Sequence, residues 1–169
     1  MSATVAVADW IKRIADDERS RDSARVRADE VASQHADLIS RHGRRLVDEL
    51  RSAVTRDLDA FRGEFPGDAA RDIAVETTGA DGGFVVRRPA PAAVSLTVVP
   101  NLAAAALVCR YCFTPANGLP PREDRSDVML ARDGGETLQM KDPGTGQVFH
   151  TADALSEFLL VPVLTARRR

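Results

Sequence analysis

Leu58-Asp-Ala-Phe-Arg-Gly63-Glu-Phe-Pro66-Gly67 is where the chain changes character. Ahead of Pro66 there is no proline, and glycine occurs only as Gly43 and Gly63. All nine prolines lie from Pro66 onward, with the rest of the eleven glycines. Proline removes a helical hydrogen bond and glycine loses the most backbone entropy on ordering, so a stretch that avoids both is free to be helix. A stretch punctuated by both reads as short strands and turns. The order helix, then sheet, predicts an α+β fold: a long N-terminal helix, an antiparallel sheet of five to seven short strands, and a C-terminal helix packed on the sheet.

Working back from that junction, the apolar positions keep helical spacing. Val31, Leu38, Ile39, Leu46, Val47, Leu50, Val54, Leu58, Phe61 and Phe65 form one stripe. Ala28, Ile39, Leu50 and Phe61 recur every eleventh residue, a period of about 3.67 per turn that calls for little supercoiling. One helix over 28–65 would be about 57 Å long, several times the usual strand length of about 17–20 Å. Its bulky C-terminal end is expected to dock on the sheet and its thinner Ala/His end to project. Residues 15–27 are mostly charged and offer little to bury, so they form either a solvated helix or a flexible joint. Before them, Val7, Trp10, Ile11 and Ile14 fall at i, i+3, i+4 and i+7 on one helical face. The chain therefore divides into 1–27, a short amphipathic helix with a charged joint; 28–65, a long helix; and 66–169, the sheet domain with the C-terminal helix.

Downstream, Ile73, Val75 and Thr77 alternate before Ala80-Asp-Gly-Gly83, a hairpin turn. Val94, Leu96 and Val98 alternate with Ser95 and Thr97. Leu102–Phe113 is apolar on both parities apart from Arg110, as a central strand covered on both faces would be. Its four alanines also allow a short helix capped by Asn101. Residues 114–125 read as a loop. Asp127–Arg132 and Glu136–Lys141 flank the strong hairpin signal Asp133-Gly-Gly135. Thr151 is a good N-cap for the last helix, and Pro162 is expected to end or kink it. Leu155, Phe158, Leu159 and Pro162 define one face of that helix, while Leu160, Val161 and Leu164 define another, so it needs cover on two sides.

Composition limits the function classes. The net charge is −2, with acid and base balanced in both halves, which gives no field for bulk nucleic acid or anionic membrane. The longest apolar run, Val98–Cys109, is broken by Pro100 and Asn101 and is too short to span a bilayer. Two cysteines and no basic leader segment fit a reducing compartment, so the expected location is the cytoplasm.

Chemistry-bearing motifs are sparse. Cys109-Arg-Tyr-Cys112 could be half a zinc site or a redox pair. On a strand, however, residues three apart point to opposite faces, so two small buried hydrophobes are the stronger reading. His35 and His42 flank the helical seam, where they could form a pH-sensitive contact or bind metal between chains. Asp142-Pro-Gly-Thr-Gly146 lacks the Lys and Ser/Thr ending of a phosphate loop and reads as a turn. No catalytic, cofactor-binding or metal residue is assigned. The expected function is a non-catalytic protein–protein interaction or assembly module. Val7, Trp10, Ile11 and Ile14 would hold a partner. Val31, His35, Leu38, Ile39, His42, Leu46, Leu160, Val161 and Leu164 would self-associate, giving a homo-oligomer. The alternatives are a small-molecule enzyme or ligand binder with a sheet-face pocket ringed by Arg110, Tyr111 or His150, and nucleic-acid binding through Arg44-Arg45 and Arg87-Arg88.

Overall fold

The computed structural model describes residues 8–89 and 92–168. The first helix, α1, runs Asp9–Gly63. Asp9 lies in its first turn, where a negative charge favours the helix dipole. The charged segment 15–27 is helical throughout. Three ion pairs of i, i+3 spacing line it: Arg19–Asp16 at 2.6 Å, Arg21–Glu18 at 2.8 Å and Arg25–Asp22 at 3.4 Å. Pairs of this kind add only about 0.2–0.5 kcal/mol each, but in succession they support a helix that has no apolar face to bury there. Burial along α1 begins at Leu38 and continues through Ile39, Gly43, Val47, Leu50, Ala53, Val54 and Leu58. The chain forms two compact units, one up to Ala36 and one from Asp37.

In the second unit, α1 is followed by seven strands in one antiparallel meander: β1 Ala74–Thr78, β2 Gly83–Arg88, β3 Ala93–Asn101, β4 Ala106–Thr114, β5 Arg122–Arg132, β6 Leu138–Lys141 and β7 Val148–Phe149. Neighbours in sequence are neighbours in the sheet, as short turns require. The register fixes the faces. Phe84, Val98 and Cys109 lie in one cross-strand row, and Val86, Leu96 and Tyr111 in the next. Leu107 pairs with Val128, while Leu130, Met140 and Phe149 form a separate row at the far edge. All of these are buried. The opposite face carries Arg87, Thr97, Arg110, Arg125 and Lys141 at alternate positions and is largely open.

The segment 102–113 combines both forms that its sequence allows. Asn101 accepts a hydrogen bond from the Ala104 amide and caps a single 3₁₀ turn over Leu102–Ala104. Ala105 then takes a left-handed conformation (φ 51°) and β4 begins. Only one face of β4 is fully covered, since Val108 is half-buried and Arg110 exposed. The expected loop 114–125 is shorter than its composition suggests, because β5 already starts at Arg122 and pairs with Phe113.

The last helix, α2, spans Ala152–Thr165 with Thr151 accepting from the Ala154 amide as N-cap. Pro162 lies inside it rather than at its end. The carbonyls of the last turn are met by Arg88, which donates to Val163 O and Leu164 O from β2. The Tyr111 hydroxyl donates to Leu159 O at 2.7 Å. Both anchors come from strands far away in sequence and hold α2 against the sheet. Leu155, Leu159, Leu160 and Val163 join Val47, Leu50, Val54 and Leu58 of α1 in a single core with the sheet residues. Burying each such side chain contributes about 1.5–3 kcal/mol. Two polar ties join the helices inside this unit: Ser156 Oγ donates to Asp57 Oδ2 at 2.7 Å, and Arg56 donates to Asp153 at 2.8 Å. Among the described residues, no helix is long and apolar enough to cross a membrane.

Candidate interaction surface

None of the helical residues up to Ala36 is fully buried, and only Ala15 and His35 among those described are half-buried. Trp10 is 58% exposed, Ile14 54% and Val31 60%, and Ile11 is also open. Side chains of this size forgo about 1.5–3 kcal/mol each by staying in water. Helical periodicity places Trp10, Ile14, Ala28 and Val31 along one side of α1. Val26 is also exposed. It lies sixteen positions from Trp10 in the sequence, which by helical periodicity is the opposite side, and its charged surroundings hid it from the sequence reading. Val7 lies outside the described residues.

The remaining residues expected to self-associate fall into different environments. His35 and Leu46 are half-buried and His42 is exposed. Leu38 and Ile39 are buried, each 6% exposed. On α2, Val161 is exposed and Leu164 half-buried, whereas Leu160 sits in the domain core at 1% exposure. The second cover that α2 requires therefore comes from within its own chain, and Val161 is its open position.

Within the second unit, a cleft of about 410 Å³ opens where the ends of β4 and β5 meet the turn after β6 and the middle of α2. Tyr111, Phe113, Phe158 and Pro162 give it apolar walls, and Asp124, Asp127 and Asp142 bring carboxylates. Tyr111 and Phe113 stack with ring centres 6.0 Å apart. The carboxylates are already engaged. Arg168 donates to Asp124 through Nε at 2.6 Å, and its guanidinium holds the Asp124 carboxyl below the usual carboxylate range, against the opposing effect of partial burial. Arg125 forks onto Asp127. The buried Asp142 accepts from the Gly144 amide and the Thr145 hydroxyl within its own turn. Of the three residues expected to ring such a pocket, only Tyr111 lines it. Arg110 lies on the opposite face of β4, and both Arg110 and His150 are exposed.

Compared with family models, with curated proteins and with solved structures, the chain matches none of them. The reading of its surfaces therefore rests on their chemistry alone.

A wider groove of about 930 Å³ lies along Arg41, Arg44, Arg45 and Arg56, beside the start of α2. Its cations are matched by acids. Arg45 donates to Glu49 at 2.8 Å and Arg56 to Asp153. Asp48 Oδ1 sits 3.2 Å from Arg51 and 3.5 Å from Arg44, and Arg44 also donates to the carbonyl of Ala80. Of the other arginine pair, Arg87 lies 3.9 Å from Glu76 and Arg88 serves α2. Such compensated arginines give little excess field to attract a polyanion. Neither cysteine forms a disulfide; Cys109 is buried in the core row with its thiol directed to Leu107 O, and strand parity directs Cys112, which is half-buried, to the other face. The acid–base pairs along α1 join near neighbours in the sequence. The ties Arg56–Asp153, Ser156–Asp57 and Arg168–Asp124 join residues far apart in the chain, and no local pattern announces them.

Proposed function

We propose that the protein is a non-catalytic assembly module whose N-terminal helical segment associates with another chain, in the first place a second copy of itself. One observation carries this reading: over residues 9–34 the helix exposes Trp10, Ile11, Ile14 and Val31 and has no buried residue of its own. Exposed apolar stripes on a helix are a common basis of helix-mediated recognition. The Tyr111 cleft supports ligand binding less well, because its carboxylates already have partners in the fold.

Light-scattering mass, measured over a concentration series on the intact chain and on a chain lacking residues 1–36, tests the proposal. The intact chain should rise above monomer mass as concentration increases, and the shortened chain should stay monomeric. Monomer mass for both at every concentration contradicts it.

A further inference from the structure

The face of residues 10–35, exposed from Trp10 to Val31 and half-buried at His35, is complementary to itself when reversed. Stepping alternately four and three residues along α1 from Trp10 gives Trp10, Ile14, Asp17, Arg21, Ala24, Ala28, Val31 and His35. This is the seam that a partner helix would face. Large apolar residues lie at both ends, and the middle carries two charged residues followed by two alanines. A parallel, in-register copy would set Asp17 against Asp17 and Arg21 against Arg21. An antiparallel copy, with its two-fold axis passing between Asp22 and Ser23, instead sets Trp10 against His35, Ile14 against Val31, Asp17 against Ala28 and Arg21 against Ala24. Opposite Ala24, the long Arg21 side chain can reach the edge of the interface, and the small methyl of Ala28 leaves room for water at the short Asp17 carboxylate. The same two-fold brings Glu18, on the flank of the seam, beside Arg25 of the other copy, and does so twice. Both are open to such a contact, with side chains 60% and 74% exposed.

We infer that two copies of the chain pair residues 10–35 as an antiparallel helix pair with this register. The inference rests on the self-association proposed above and adds its geometry. An isologous contact of this kind closes on itself and yields a dimer rather than a filament. The charged middle layers make it a weak, concentration-dependent contact.

Charge-swap variants of the full-length chain, followed by sedimentation velocity over a concentration series, test it. Glu18→Arg alone places arginine against Arg25, and Arg25→Glu alone places glutamate against Glu18. Each should weaken the dimer about tenfold, since two pairs are lost and two repulsions gained. The double variant Glu18→Arg/Arg25→Glu should recover wild-type affinity. That recovery cannot come from a firmer helix, because the intrahelical pairs available to the double variant, position 18 with Asp22 and position 25 with Arg21, are each already gained in the corresponding single variant. A parallel pair would not recover either, since Glu18 would then meet Arg13 and Arg25 would meet Ser20. A wild-type dimer that both single variants leave intact, or that the double variant fails to recover, overturns the antiparallel register and leaves self-association standing. A wild-type chain that stays monomeric overturns both.

Discussion

Gly82 closes the turn between β1 and β2 with φ +85°, a left-handed conformation that side chains disfavour. A Cβ there would also come within 3.2 Å of Val47 Cγ1, on the buried side of α1. The turn is tightened by Asp81, which accepts from the Gly83 amide at 3.0 Å. The conformational penalty alone is about 1–2 kcal/mol. Gly82→Ala should therefore lower stability by about that amount in urea denaturation, with an unchanged denaturant slope. A loss within about 0.5 kcal/mol, the usual range of surface substitutions, would show that the turn can leave its left-handed conformation at Gly82 without cost. Ala105 and Ala166 hold left-handed conformations without glycine, one just before β4 and the other just after α2. Both are positions where the chain must leave a helical turn at once.

At the scale of elements, α2 separates two residues that look alike in sequence. Leu160 is packed in the core and Val161 is 45% exposed. Leu160→Ala should cost about 2–5 kcal/mol, whereas Val161→Ser should stay within about 0.5 kcal/mol. Thermal or urea unfolding of the two variants measures the contrast, and comparable losses would mean that α2 is rotated from its observed setting. The elements were unevenly legible. The Pro66 boundary, the alternating strands Ile73–Thr77 and Val94–Val98, the Asp133-Gly134-Gly135 hairpin and the Thr151 cap are local signals, and the structure places elements there. Local signals failed where a distant partner decides. Arg122, Glu123 and Asp124 look like loop residues, yet pairing with Phe113, Cys112 and Tyr111 makes them strand. Pro162 looks like a stop, yet Tyr111 and Arg88 hold the carbonyls around it and the helix continues to Thr165. The apolar cluster at Trp10, Ile11 and Ile14 was visible from spacing alone. The tie of Arg168 to Asp124 beside the cleft was not, since nothing in either neighbourhood points to the other.

At the scale of the molecule, the two compact units differ in how they satisfy their apolar residues. From Asp37 onward, helices and sheet bury Val47, Leu50, Leu58, Phe84, Leu96 and Phe149 almost completely within one chain. Up to Ala36, Trp10, Ile14 and Val31 remain open to solvent. In the assembly we propose, another copy of the chain covers them. Trp10 is the sole tryptophan, so its fluorescence reports on that face without interference. Emission of the intact chain, with acrylamide quenching, should be followed from dilute to concentrated solution. Pairing of this face should give a blue shift and falling quencher access as concentration rises. Emission that stays red and fully quenchable at every concentration would contradict it.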